Sequence, residues 1–324
     1  MFKIVYVLTS NGDDVYYKQL IISLRSLRLH MESAEVIVVV DENTYENIKN
    51  KNEVTLYAKI KKEFVGNQYS PKEKSRYLKT VLRDILDGDL LYIDTDTIIC
   101  KSFLDYYNYA PLALVFDENV SWNKNFHKDI TMRTNKRLHF SVEGYYNYYN
   151  GGVIWMRDLP ETRKFFKLWH QYWIDELKYG DCLDQPPLNH VNEKVMPLIS
   201  QLPYGFNLQI TAYPSGIQYL DNVYIIHYLN SSESAYILSD KNFIEEHYDS
   251  MLMENIIRNP KCAFREASII ASDSYLGEFL KTYFFKVVFC IYKICPMLFK
   301  ETVENFLRTL YLYKINISRI IATW

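Results

Sequence analysis

Apolar strands alternate with amphipathic helices along this chain, and this alternation constrains its fold more than any other feature. Residues 4–8 and the stretch AEVIVVVDEN predict strands, and the helical spacing of Leu20, Leu24 and Leu27 predicts the helix between them. Later strands are predicted within DLLYIDTDTII, APLALVFDEN, YYNGGVIWMRD and VYIIHYLNSS. Continuous apolar strands that alternate with helices indicate βαβ units. The sequence therefore predicts an α/β fold whose mainly parallel central sheet carries helices on both faces.

Composition and charge narrow the class of protein. The 324 residues are 48% hydrophobic, which suffices for one large domain or for a domain with an appendage. A net charge of −2 gives no bulk attraction for nucleic acid, so we expect no nucleic-acid partner. Five cysteines without a CxxC pair, and a first apolar run too short for a signal peptide, favour reduced thiols and a cytoplasmic location.

Two carboxylates interrupt the apolar stretch LLYIDTDTII. Asp94 and Asp96 are two positions apart, and on a strand this spacing places both side chains on one face. Two carboxylates this close repel each other unless a cation lies between them. Carboxylate oxygens suit Mg²⁺ or Mn²⁺, and open α/β sheets bind ligands at the carboxyl ends of their strands. A metal site is our preferred interpretation, with a salt bridge or a simple polar strand end as the alternatives.

Six stretches, in the expected order, resemble glycosyltransferase family 8, which has the GT-A fold and includes bacterial galactosyl- and glucosyltransferases and glycogenin. They lie between residues 1 and 235, and they are IVYVLTSNGDDVYYKQLIISLRSL, KSRYLKTVLRDIL, GDLLYIDTDTII, YNGGVIWM, DCLDQPPLN and VYIIHYLN. The resemblance implies a metal-dependent enzyme that moves a hexose, glucose or galactose, from a UDP-sugar to a glycan or lipid-linked glycan. It also implies retention of configuration and a role in surface polysaccharide or lipopolysaccharide synthesis.

The resemblance assigns roles to individual residues. Asp94, Asp96 and His227 would bind a divalent ion, Mn²⁺ rather than Mg²⁺ because a histidine is among the ligands. Asp184 and Gln185 would lie beside the anomeric carbon and stabilise positive charge or act as a nucleophile. The donor would contact a larger set of residues: Leu8, Thr9, Tyr16, Arg76, Lys79, Thr95, Asp117, Asn150 and Gly151.

Several of these roles have simpler alternatives. Arg76 and Lys79 are one helical turn apart, so they can face one cleft and pair with a diphosphate, or they can be solvated. Asp184 can cap the helix that PPLNHVNEK predicts. Tyr17 can replace Tyr16 as the residue that stacks on the base, and Asp94 can meet the ribose instead of the ion.

Other positions also leave choices open. His227 can be a buried strand histidine bonded to a backbone carbonyl, and Gly151 and Gly152 can form a turn instead of admitting the sugar. The stretch HYLNSSESAYIL departs from the family because the lysine that usually follows the histidine is missing. Residues 121–140, which are basic and aromatic, are the predicted acceptor loop or lid.

The character of the chain changes near residue 250. We predict a catalytic domain at residues 1–250 and a C-terminal helical region at residues 251–324. Lysines and Pro296 interrupt the apolar run after residue 273, so it makes a poor transmembrane span. It can pack on the domain, lie in the plane of a membrane with its lysines toward lipid head groups, or dimerise. A helix in the plane of the membrane would make the protein a peripheral membrane protein on the inner face.

Two other functions fit the same fold class. A sugar-phosphate nucleotidyltransferase also combines a nucleotide fold with a divalent ion, but it usually carries a glycine-rich phosphate loop, and LTSNGDDVYY offers only Gly12. A nucleotide-sugar-binding protein that has lost activity is the other alternative. This alternative is disfavoured because the predicted site residues are intact: Asp94, Asp96, Asp184, Gln185 and His227.

Overall fold

The computed structural model describes residues 2–125, 127–210, 222–229, 234 and 236–264. Strands and helices alternate there as predicted. The strands are β1 (Lys3–Leu8), β2 (Val36–Asp41), β3 (Lys59–Glu63), β4 (Leu90–Ile93), β5 (Thr97–Ile99), β6 (Leu112–Phe116), β7 (Tyr149–Met156), β8 (Ile199–Gln201), β9 (Leu208–Gln209) and β10 (Ile225–His227). The α-helices are α1 (Val15–His30), α2 (Glu42–Ile48), α3 (Asn52–Tyr57), α4 (Pro71–Thr80), α5 (Leu82–Ile85), α6 (Lys128–Arg137), α7 (Pro160–Glu176), α8 (Gln185–His190), α9 (Lys241–His247) and α10 (Met251–Arg258).

A seven-stranded sheet with the order β3-β2-β1-β4-β7-β6-β8 forms the centre of the protein. Strands β3, β2, β1 and β4 run parallel, β7 is antiparallel to both of its neighbours, and β8 is parallel to β6. A second sheet has the order β5-β10-β9. The predicted α/β class with a mainly parallel central sheet is therefore confirmed.

Helices bury both faces of the large sheet, which explains why its inner strands are almost continuously apolar, whereas the edge strands β3 and β8 are polar. Ile4 and Tyr6 of β1 share a core with the leucines of α1. Val5 and Val7 point the other way and share a second core with Leu78 of α4 and with residues of α7. Because side chains alternate between the faces of a strand, a sheet covered on both sides needs continuous apolar runs.

Helix α4 begins as the sequence predicts and ends earlier. Ser70 Oγ accepts a hydrogen bond from the Glu73 amide (3.3 Å), and the Glu73 carboxylate accepts one from the Ser70 amide (2.6 Å), so the two residues form a capping box. The single helix predicted over SPKEKSRYLKTVLRDIL is two helices, because Val81, with φ −99° and ψ 8°, separates α4 from α5. Arg76 and Lys79 therefore lie in the last turns of α4.

The predicted single strand LLYIDTDTII is also two strands. β4 ends at Ile93 in the large sheet, residues 94–96 form a bend, and β5 begins at Thr97 in the small sheet. Thr97 there lies opposite His227 of β10. The expectation that strand alternation puts Asp94 and Asp96 on one face is thus wrong, since the bend between the two sheets places them.

The C-terminal part of the chain is described as far as residue 264. Met253, Ile256 and Ile257 of α10 pack in a core with Ile22 of α1 and Ile226 of β10. Among the described residues, every helix is too short or too polar to cross a membrane. The basic and aromatic run after residue 273 lies outside the described residues, and the domain boundary near residue 250 stays a prediction.

Candidate active site

A cavity of about 1140 Å³ opens at the carboxyl ends of the parallel strands. Leu8 at the end of β1, Asp41 at the end of β2 and Asp94 after β4 line one side. Residues of α4, α6, β7 and the start of α8 line the other side. Open α/β sheets bind ligands at this edge. Every residue predicted for the site lines this cavity except Asp117. The Asp117 carboxylate instead accepts hydrogen bonds from two residues that do line it, Asn150 and Gln185.

Two aspartates and a histidine meet at the edge of the cavity. His227 Nε2 lies 3.2 Å from Asp96 Oδ1 and 3.9 Å from Asp94 Oδ2. The three candidate ligand atoms all lie within 4.8 Å of one another, so one ion could contact all of them. Two carboxylate oxygens and one imidazole nitrogen form a donor set that suits Mn²⁺. The residues present therefore fit the predicted metal.

Charge and burial oppose each other at this cluster. Burial disfavours the imidazolium of His227, but the carboxylates of Asp96 and Asp94 outweigh this effect and raise its pKa. Burial likewise disfavours ionised Asp96, yet His227 lowers the pKa of Asp96. A protonated His227 would therefore act as the counterion of the two carboxylates. The Tyr92 hydroxyl donates a hydrogen bond to Asp94 Oδ1, which leaves Oδ2 on the side of His227.

Arg76 and Lys79 both pair with Asp184 across the cavity. Arg76 Nε lies 3.1 Å from Asp184 Oδ1, and Lys79 Nζ lies 2.7 Å from Asp184 Oδ2. Lys79 Nζ is also 3.5 Å from Asp94 Oδ1, and its side chain is only 3% exposed. Burial disfavours ionised Asp184, but Lys79 and Arg76 prevail and lower its pKa to about 2. The alternative of two solvated helix side chains is wrong, since the two cations face one cleft.

The alternative that the Asp184 side chain caps a helix is also wrong, because its carboxylate is paired with Arg76 and Lys79. Asp184 does lie immediately before α8, where a capping residue belongs. Its backbone is in the right-handed helical region, and its carboxylate contacts the two cations rather than the first amides of the helix.

Amide side chains surround Asp117 on the far side of the cavity. Asn150 Nδ2 and Gln185 Nε2 donate to Asp117 Oδ1 over 3.2 and 3.1 Å, and the Gly151 amide donates to Gln185 Oε1 over 3.4 Å. Burial and the charge of Glu118 raise the pKa of Asp117, although the amide hydrogen bonds oppose this shift. The structure thus brings together four of the residues predicted for the sugar end of the site.

The two adjacent tyrosines at the start of α1 have different surroundings. Tyr16 lines the cavity beside Leu8 and Thr9, and its side chain is 45% exposed. Tyr17 is 2% exposed, and its hydroxyl donates to Glu53 over 2.9 Å. Of the two residues, Tyr16 is therefore the one available to a ligand.

Half of the predicted acceptor loop, residues 121–140, is a helix. Residues 128–137 form α6, and four of its residues line the cavity: Ile130, Thr131, Thr134 and Asn135. The stretch HYLNSSESAYIL, which departs from the family, includes residues 230–233 and 235, and these lie outside the described residues.

Two positions of the site have functions that sequence reasoning missed. Gly152 was expected to admit the sugar, but a Cβ atom there would lie 2.2 Å from Cε1 of His227, so this glycine makes room for the histidine ring. Asn207 is fully buried and contacts both His227 and Asn150. Neither role leaves a local signal, because each depends on residues far away in the chain.

Comparisons with known proteins identify the family of this chain and support its fold. The sequence model of a family described as nucleotide-diphospho-sugar transferase matches residues 33–264. The crystal structure of the galactosyltransferase LgtC with donor and acceptor sugar analogues aligns with a TM-score of 0.50 and 16% identity, over 79% of this chain and 95% of that chain. The apo structure of the bifunctional glycosyltransferase WbbM aligns with a TM-score of 0.50 and 14% identity, over 79% of this chain and 51% of that chain. A search of curated protein sequences finds no match.

Proposed function

Because this chain belongs to the nucleotide-diphospho-sugar transferase family and has the GT-A fold, we propose that it transfers a hexose from a UDP-sugar to a glycan or lipid-linked glycan. One observation carries this proposal: Asp94, Asp96 and His227 converge at the edge of the same cavity that holds Lys79 and Arg76. A donor diphosphate needs cations on more than one side, and this cavity offers them.

We assign the metal site to Asp94, Asp96 and His227. The Tyr92 hydroxyl fixes one oxygen of Asp94, and the other oxygen lies toward Nε2 of His227, which favours a role in ion binding over contact with the ribose. When bound there, Mn²⁺ or Mg²⁺ would offset the negative charge that develops on the departing diphosphate.

We assign phosphate binding to Arg76 and Lys79. Both cations pair with Asp184, and Lys79 is buried at the cavity wall beside Asp94. Phosphate oxygens would share these cations with Asp184. Since its pKa of about 2 keeps Asp184 ionised at neutral pH, its carboxylate can stabilise positive charge on the sugar ring. Gln185 would hold the sugar beside it, and the reaction would proceed with retention.

Recognition of the donor would extend along the ends of the strands. Thr95 lies in the metal-binding bend, and Leu8 and Thr9 end β1. The carboxyl ends of β4 and β2 are two strands apart, about 10 Å, which a ribose and a base can span from a metal-bound diphosphate. Tyr16 would stack on the base. Asp117, Asn150 and Gly151 would contact the hydroxyl groups of the hexose.

We propose that residues 1–250 form the catalytic domain and that residues 251–324 extend it. The basic and aromatic run after residue 273 would hold the enzyme at the inner face of the membrane, close to lipid-linked acceptors. Surface polysaccharide or lipopolysaccharide synthesis is the process that fits such an acceptor. Deletion of residues 273–324 tests this role, because the shortened protein should lose binding to anionic vesicles. Equal binding by the shortened and full chains would contradict it.

Titration of UDP into the protein, with and without Mn²⁺, tests the proposed function. We expect Mn²⁺ to strengthen UDP binding and Asp96→Ala to abolish this dependence. Asp105→Ala, which removes an exposed aspartate outside the cavity, is the matched control and should behave as the natural protein. UDP binding that is indifferent to Mn²⁺ would refute the metal-bridge assignment.

A panel of UDP-sugars with Mn²⁺ then identifies the donor by its slow hydrolysis, without knowledge of the acceptor. Release of pyrophosphate from UTP and a sugar 1-phosphate would instead identify a nucleotidyltransferase. Binding of UDP-sugars without turnover, even when candidate acceptors are supplied, would identify a binding protein.

A further inference from the structure

A buried amide joins the metal-binding cluster to the sugar end of the cavity. The side chain of Asn207 is fully buried, and its Oδ1 lies 3.0 Å from Nδ1 of His227. Its Nδ2 donates to Oδ1 of Asn150 over 2.9 Å. The proposed reaction assigns no role to this residue.

One backbone amide determines which atom donates and which accepts in each hydrogen bond of this network. The Gly152 amide can only donate, and it donates to the side chain of Asn150 over 2.9 Å, so the acceptor atom there must be the oxygen. The atom of Asn207 that faces this oxygen must then be its nitrogen, and the oxygen of Asn207 must face His227. Nδ1 of His227 therefore donates, and in the neutral ring Nε2 keeps its lone pair.

Asn207 is itself held in place. Asn119 Nδ2 donates to its backbone carbonyl over 2.7 Å, and the next residue begins β9, which pairs with β10 beside His227. The nitrogen with the lone pair, Nε2, is the atom that faces Asp96 at 3.2 Å. The network thus presents the ligating nitrogen of His227 to the two carboxylates.

We propose that Asn207 is a positioning residue that fixes the tautomer and orientation of His227 for metal binding and links it to Asn150. The inference rests on the proposed metal site, since the tautomer matters only if Nε2 binds an ion. Groups that hold the second nitrogen of a ligating histidine typically change metal affinity 10–100-fold when they are removed. Asn207 has the geometry of such a group.

Two substitutions separate the hydrogen bond from mere packing. Asn207→Leu keeps the approximate volume but cannot accept from Nδ1, so Mn²⁺ affinity should fall about 10–100-fold. Asn207→Asp keeps an acceptor for His227, so Mn²⁺ should bind within a few-fold of the natural protein. The control is Asn192→Leu, which removes another buried amide that accepts from the Leu198 and Ile199 backbones and should leave Mn²⁺ affinity unchanged.

Nitrogen-15 NMR of the metal-free protein reads the tautomer without any reaction. At a pH high enough to deprotonate the imidazolium, we expect the neutral ring of His227, assigned by comparison with His227→Gln, to keep its proton on Nδ1, and Asn207→Leu to populate the other tautomer. A neutral ring that keeps its proton on Nε2 in the natural protein would overturn the inference. Unchanged Mn²⁺ affinity in Asn207→Leu would overturn it as well. Failure of the natural protein to bind Mn²⁺ would instead refute the proposed metal site, while the tautomer would still decide whether Asn207 orients the ring.

Discussion

The substitution Gly152→Ala should disable the metal-binding cluster through steric overlap alone. An added Cβ would lie 2.2 Å from Cε1 and 2.5 Å from Nδ1 of His227, about 1.2 Å closer than the ordinary contact of 3.4 Å. The backbone of Gly152 cannot yield easily, because its carbonyl accepts from the Asp94 amide (2.8 Å) and its amide donates to Asn150. The histidine ring must therefore move.

The required displacement of about 1 Å exceeds what a metal site tolerates. Distances between ligand and metal hold within roughly 0.2 Å in genuine sites. We therefore expect Gly152→Ala to lose at least 100-fold in Mn²⁺ affinity. Overpacking of a buried position also costs about 1–3 kcal/mol, so the metal-free variant should unfold at a lower temperature. Calorimetric Mn²⁺ titration and thermal unfolding measure the two effects separately.

The neighbouring Gly151→Ala is the matched control. A Cβ at this position would meet Lys79 Nζ at 3.4 Å and Asp184 Oδ2 at 3.6 Å, which are tolerable contacts. The two variants make the same chemical change in the same strand, and only one of them displaces His227. Mn²⁺ binding as strong in Gly152→Ala as in the natural protein, or an equal loss in Gly151→Ala, would refute the reasoning.

Three other predictions use titration and stacking. Burial, aided by nearby acidic groups, raises the pKa of Glu176 from 4.5 to about 9, so the stability of the protein should fall as pH rises between these values. This loss of stability should reach about 3 kcal/mol near pH 7, and Glu176→Gln should remove it. Urea unfolding from pH 5 to 9 measures the difference. Lys79→Met should destabilise the protein by about 3 kcal/mol in urea at pH 7, because Asp184 loses a buried partner. The depressed pKa of Asp184 contributes stability that is present above pH 3.8 and lost as pH falls through about 2. This loss of stability in acid should be smaller in Lys79→Met. An unchanged loss in acid would contradict the ion pair. Tyr16→Ala should weaken UDP binding by about 1–3 kcal/mol, whereas Tyr17→Phe, the control, should leave calorimetric UDP affinity unchanged.

Local sequence patterns predicted the framework of this protein well. The continuous apolar runs and the Ser70 cap sufficed for the α/β class, because they reflect burial and short-range propensity. The resemblance of six stretches to glycosyltransferase family 8 implied the GT-A fold. The same stretches named residues that meet in one cavity. Their roles in binding and catalysis stay predictions until the experiments above are done.

Tertiary pairing determined what the sequence could not reveal. LLYI and TII are equally apolar, so nothing local shows that they belong to different sheets and that residues 94–96 bend between them. Pairing of Asp184 with Arg76 and Lys79 joins segments about a hundred residues apart, and it replaced the helix cap that the local pattern suggested. No local sequence pattern marks Asn207, since its proposed role depends on its contacts with His227 and Asn150.

The bend at residues 94–96 makes the length of this segment as critical as its composition. β5 pairs with β10 in a register that sets Thr97 opposite His227. Deletion of a single residue between Ile93 and Thr97 would pull β5 by one position, and each of its side chains would exchange faces. Either β5 would lose its register with β10, or Asp94 and Asp96 would move away from His227. Natural variants of this protein should therefore tolerate a changed residue at Thr95 more readily than any insertion or deletion beside it.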